Sequence, residues 1–155
     1  MKDQKIAAVI DMAIEREEQA FAFYQSLSQK VDDRTAIETL QYLSHEEKKH
    51  KEFLEKYRQG GYGPEALRMT DVVDYKIAEY LTTPDIQKNM ESKDVYLVAA
   101  HRELNSYNFY QSLARMHPDG NAKTIFLRMA NEEKKHKEKA EYLYSNTAFP
   151  QTSGG

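Results

Sequence analysis

Glu46-Glu47-Lys48-Lys49-His50-Lys51-Glu52 recurs letter for letter as Glu132-Glu133-Lys134-Lys135-His136-Lys137-Glu138, 86 residues further along the chain. In each copy a glutamate stands three before the histidine, close to one helical turn, so Glu47 with His50 and Glu133 with His136 share a helix face. A carboxylate and an imidazole so placed can hold one metal ion, and two such pairs can hold two. A single Glu-x-x-His in so charged a chain is more often a solvated surface. Of the five histidines, only His50 and His136 have a glutamate at this spacing.

The neighbouring sequence gives the motif its register. In the second copy's first-half counterpart, Leu40, Leu43, Glu47, His50, Leu54 and Tyr57 follow at alternating steps of three and four, the seam of a bundle helix. Glu47 continues the apolar stripe. Glu46 falls on its flank, where a surface ion pair is expected. Phe126, Met129, Glu133, His136, Ala140 and Leu143 form the same seam in the second half.

The repeat extends to the preceding helices. Phe23-Tyr24-Gln25-Ser26-Leu27 returns as Phe109-Tyr110-Gln111-Ser112-Leu113 at the same shift, and Glu17 returns as Glu103. The first seam reads Ile6, Ile10, Ala13, Glu17, Ala20, Tyr24, Leu27, Val31, and the third reads Tyr96, Ala99, Glu103, Ser106, Tyr110, Leu113. The chain therefore reads as two helix hairpins of common ancestry. Helices are expected over about 3–30 and 34–58, from near 92 up to the turn at His117, and over about 122–144. Asp33 suits the N-cap of the second helix, and Gly60-Gly61 ends it. His117-Pro118-Asp119-Gly120-Asn121 is a turn by composition.

Residues 62–93 are too many for a direct helix–helix connection, which usually takes about 2–8. They suit a crossover along the bundle, with short helices begun at Thr70 and at Thr83-Pro84. The bundle spans 1–148, and 149–155 reads as a flexible tail.

Depth brings the acidic residues together. Glu17 and Glu47 each lie about 14 residues from their hairpin turn, roughly 20 Å along the helix, and Glu103 and Glu133 are placed alike. Four glutamates and two histidines then meet mid-bundle if the hairpins pack face to face. Four carboxylates in a dry seam without lysine or arginine cost several kcal/mol each unless neutralised. Protonation relieves some of this. Two divalent cations match the fourfold negative charge, and Ala13, Ala20, Ala99 and Ser106, a turn on either side of Glu17 and Glu103, leave room for them.

This set resembles the ferritin-like dimetal carboxylate proteins, in which two helices give one Glu each and two give Glu-x-x-His. With Tyr24 and Tyr110 each seven after its single Glu, it is similar to the rubrerythrin-like branch, over about residues 3–145. The resemblance implies an all-α four-helix bundle with two iron ions, manganese or a mixed pair fitting the same hard ligands. It makes Glu17 with His50, and Glu103 with His136, terminal ligands, and Glu47 and Glu133 bridging ones. Tyr24 and Tyr110 read equally as core packing or as hydrogen-bond donors that orient ligand carboxylates.

There are also departures. The chain has no cysteine, whereas rubrerythrins proper carry a four-cysteine rubredoxin domain. The position of their further ligand carboxylate, three from a single Glu, holds Ala100 or Ser106 around Glu103, and Ile14 or Ala20 around Glu17.

The resemblance implies a diiron oxidoreductase reducing hydrogen peroxide or dioxygen in oxidative-stress defence, with electrons from a separate, rubredoxin-type protein. Ferrous iron oxidation and handling is the alternative. A third reading is a metal-stabilised binding module with a partner face at Phe21 and Tyr107. A net charge of −3 and a pI near 6.0, with lysines interleaved among glutamates, speak against nucleic acid. No long apolar run suggests a membrane span. A cytoplasmic homodimer is the expectation.

Overall fold

The computed structural model of the protein describes residues 2–61, 63–67 and 69–150, with side chains from residue 5 onward. Of the expected tail, residues 151–155 lie outside the described part. Among the described residues there are five α-helices, one turn of 3-10 helix and no strand: α1 (Lys2–Ser28), α2 (Arg34–Arg58), a 3-10 turn (Pro64–Ala66), α3 (Ile77–Tyr80), α4 (Ser92–Arg115) and α5 (Asn121–Ala148). The four long helices form a ferritin-like bundle.

The local signals act much as expected at α2. The Asp33 side chain accepts from the Ala36 N–H at 2.9 Å, satisfying one of the free donors at the helix start. At the other end Gly60 takes φ +83°, which a side chain would resist, and Gly61 N–H reaches Lys56 O at 2.7 Å while Gly60 N–H reaches Tyr57 O at 2.9 Å. That is a Schellman stop. Helix α5 runs four residues past the expected Tyr144, because Leu143 and Tyr144 still pack on the core and favour another turn.

The apolar core is divided. One cluster gathers Tyr24, Leu27, Leu40, Leu43, Val95, Tyr96 and Ala140. The other gathers Ile10, Phe53, Leu54, Tyr110, Leu113, Phe126 and Met129. The end of α1 thus meets the start of α4 in the first cluster, while the start of α1 meets the end of α4 in the second. The two hairpins are packed in opposite senses, and their shared sequence makes them related by an approximate two-fold axis. What separates the clusters is a layer of buried acid.

The crossover lies against the second hairpin and runs parallel to α5. Arg128 Nη1 donates to Pro64 O (2.5 Å) and Leu67 O (2.8 Å), and Asn131 exchanges two hydrogen bonds with the Thr70 backbone. Further along, Glu138 accepts from Val73 N–H, and Glu141 Oε2 accepts from Ala78 N–H at 2.8 Å. Lys137 Nζ is held by Asp74 (2.6 Å), Glu79 (3.0 Å) and Glu141 (3.0 Å).

The two short helices are not where Thr70 and Thr83-Pro84 predict them. Thr70 is occupied by Asn131, and the residues after it stay extended along α5. Residues 85–89 are exposed, so a helix begun at Pro84 would bury nothing to offset its ordering cost. Helix forms instead at Pro64–Ala66, with proline in its first turn, and at Ile77–Tyr80, where Ala78 is buried and its N–H is met by Glu141.

Candidate metal centre

Each long helix delivers one acidic residue to the layer between the two apolar clusters. Glu17 comes from α1, Glu47 from α2, Glu103 from α4 and Glu133 from α5, and all four are almost fully buried, as are His50 and His136. The small residues beside them (Ala13, Ala20, Ala99, Ser106) are buried too, so the backbones of α1 and α4 carry little bulk at this level.

The oxygen and nitrogen atoms fall into two groups. Donor atoms of Glu17, Glu47, His50 and Glu133 lie within 4.8 Å of one another, and so do those of Glu47, Glu103, Glu133 and His136. Glu47 and Glu133 belong to both. All six residues singled out from the sequence are therefore brought together, and the two inner glutamates stand in the middle.

The geometry repeats across the two-fold. His136 Nδ1 lies 3.0 Å from Glu47 Oε1, and His50 Nδ1 lies 3.0 Å from Glu133 Oε1. Each histidine thus reaches the inner glutamate of the opposite hairpin, and the two rings stack 5.4 Å apart at 14°. Tyr24 donates to Glu103 Oε1 at 2.8 Å, and Tyr110 donates to Glu17 Oε1 at 2.6 Å. Of the two sequence readings of these tyrosines, the hydrogen-bonding one holds. The partner is the single glutamate of the other hairpin, not the one seven residues earlier, because the seams face each other across the bundle.

Charge crowding governs the titration of the layer. Burial, then the charges of Glu133, Glu17 and Glu103, push the Glu47 carboxyl well above its ordinary value. Burial and the charges of Glu103 and Glu17 push Glu133 up to about 8. For His50, burial opposes protonation, but Glu133 and Glu17 outweigh it and raise the imidazole to about 10. Burial and the nearby carboxylates push both tyrosine hydroxyls well up, so they stay donors.

Whether this layer suits metal ions can be read from its unmet polar atoms. Glu17 Oε2, Glu47 Oε2, Glu103 Oε2 and Glu133 Oε2 have no hydrogen-bond partner, although all are buried. Among the described residues no lysine or arginine forms an ion pair with any of the four glutamates. Buried oxygens left so are costly, about 1–3 kcal/mol each and more when charged. Hard oxygen donors with one imidazole per group are a donor set that iron and manganese accept. The residues fit a dimetal site.

A model of the rubrerythrin family matches residues 8–144. The chain belongs to the rubrerythrin family. No curated protein and no solved structure gives a significant match. Membership of a ferritin-like diiron-carboxylate family and the buried Glu/His layer point the same way, to a dimetal centre in this rubrerythrin-family bundle.

Glu46 does more than its flank position suggests. Glu46 does pair with Lys49 (3.0 Å), as a flank residue should, but its Oε1 also lies 3.7 Å from His136 Nε2. The four-residue spacing from Glu46 to its own His50 gave no hint of this, since the histidine concerned is on α5. Phe21 and Tyr107, read as exposed flank residues, are half-buried, with the Lys48 and Lys134 ammonium groups over their rings at 6.0 and 5.8 Å.

Proposed function

We propose that the layer holds two iron ions and that the protein is a diiron oxidoreductase reducing hydrogen peroxide or dioxygen in defence against oxidants. The observation that carries this reading is the sharing of Glu47 and Glu133 between two donor groups. Glu17 and His50 would hold one ion, Glu103 and His136 the other, with Glu47 and Glu133 spanning both. Iron bound there supplies an electron pair and the Lewis acidity that breaks an O–O bond.

The chain's own residues prepare that chemistry. Tyr24 and Tyr110 each hold one oxygen of a single glutamate, and the second oxygen of each is buried without a hydrogen-bond partner. The apolar clusters on either side exclude bulk water and strengthen the field of the carboxylates. A cleft of about 650 Å³, lined by Tyr42, Glu46, Tyr142 and His136 among others, gives a small oxidant a way in from the surface.

We assign electron supply to a separate protein of rubredoxin type. Among the described residues no helix is long and apolar enough to cross a membrane. We take the working form to be a cytoplasmic homodimer.

The test is an anaerobic Fe(II) titration followed by parallel mixing with peroxide and with oxygen. Two Fe(II) per chain and rapid oxidation by either agent are expected. Iron held far beyond two per chain in a large assembly would favour iron handling instead. A loaded protein that neither oxidant touches would leave a metal-stabilised binding module.

A further inference from the structure

The two metal-binding halves are not alike around their histidines. His136 points Nδ1 into the layer, with Glu47, Glu103 and Glu133 at 3.0, 3.6 and 3.7 Å. Its other nitrogen, Nε2, faces Glu46 Oε1 at 3.7 Å, and the edge of Tyr42 stands against the ring with centroids 6.3 Å apart. Glu46 is mostly shielded, and Lys49 holds its second oxygen at 3.0 Å.

The repeat supplies the control. The counterpart of Glu46 is Glu132, which is engaged by Lys135 at 2.8 Å and, among the described residues, makes no ion pair with His50. The counterpart of Tyr42 is Arg128, which is committed to the crossover through Pro64 O and Leu67 O. Identical letters in the motif thus give His136 a carboxylate behind its ring and give His50 none.

We propose that Glu46 is a positioning residue for His136, acting through Nε2 to make the Glu103–His136 position the tighter of the two metal positions. A carboxylate beside Nε2–H fixes the tautomer in which Nδ1 carries the lone pair, holds the ring's orientation, and makes Nδ1 a stronger donor. At 3.7 Å the pair is in ion-pair range. The inference rests on the dimetal reading above.

Co(II), which reports its ligands by absorption and by shifted proton resonances, is the ion for the test. The parent should take up two Co(II) per chain in two resolved steps. E46Q should weaken the tighter step about tenfold to a hundredfold, and speed solvent exchange of one of the two shifted imidazole N–H protons. E132Q, at a residue that makes no ion pair with His50 among the described residues, should leave both steps as in the parent. Unchanged circular dichroism of metal-free E46Q separates this from misfolding. The proposal falls if E46Q binds like the parent, if E46Q and E132Q weaken binding alike, or if E46Q weakens both steps together. A parent that binds fewer than two ions overturns the dimetal reading as well, whereas two ions bound with E46Q silent overturns only this one.

Discussion

Lys51 and Lys137 are the same letter of the same motif, yet their surroundings differ sharply. The Lys51 side chain is 30% exposed and pairs with Glu18 at 2.7 Å. The Lys137 side chain is 2% exposed and lies among three carboxylates. Five letters earlier in both copies, position 46 reaches a histidine of the opposite hairpin while position 132 does not. Internal symmetry therefore controls the inside of the bundle, where hairpin meets hairpin. The outside answers to the crossover, which can lie on only one of them.

The first way to break that comparison is at the inner positions. Glu47→Ala and Glu133→Ala should each prevent stoichiometric uptake of two ions, and should do so equally, because both residues are shared by the two donor groups. Metal content after gel filtration measures it. A clear difference between the two variants would show that the two-fold does not hold in the layer.

The outer positions should separate instead. Lys137→Met removes the ammonium that Asp74, Glu79 and Glu141 share and should cost about 3–5 kcal/mol, the range for breaking a buried ion pair. At about 2–4 °C per kcal/mol, the thermal midpoint should fall by roughly 10 °C. Lys51→Met should leave the midpoint within the scatter of the measurement. Equal shifts would mean that the crossover does not seal Lys137 in solution.

A smaller, symmetric effect is expected at the tyrosines. Tyr24→Phe and Tyr110→Phe each leave one carboxylate oxygen without its donor, and should weaken metal binding about tenfold in titrations, the lower end for a residue that orients a ligand. If only one of the two variants responds, the matching hydrogen bonds at 2.8 and 2.6 Å are not equivalent.

The smallest effect compares helix starts. Asp33→Ala deletes the cap of α2 and should cost about 1 kcal/mol in denaturant unfolding. Helix α5 has Gly120 at its N-cap and no side-chain cap, so Asp119→Ala should change nothing measurable.

The sequence exposed the bundle and the six-residue layer because both depend on period and depth. A glutamate in phase with leucines is visible without coordinates, and so is its copy 86 positions later. The tyrosines were visible as seam residues, but not their partners, since a period says which face a residue is on and not which residue faces it. The burial of Lys137 had no signal at all. Its letters match Lys51, and the side chosen by the crossover depends on Arg128, Asn131 and Glu141 meeting backbone groups some 60 residues away. The short crossover helices failed for a related reason. Thr70 and Pro84 carry proper starting chemistry, but short helices need a surface to pack on, and α4 and α5 together offered it at Ile77–Tyr80.

The approximate two-fold has a kinetic consequence. Two separate hairpins of this sequence type could in principle complete such a layer, but only at a rate and an extent set by their concentration. Joining them through residues 59–91 turns that encounter into a ring closure inside one molecule, with an effective local concentration on the order of millimolar for short flexible linkers. The asymmetric clasp on α5 narrows it further, because a connection already laid along one hairpin has little freedom left when the other arrives. A single chain can then assemble its six-residue layer at any dilution.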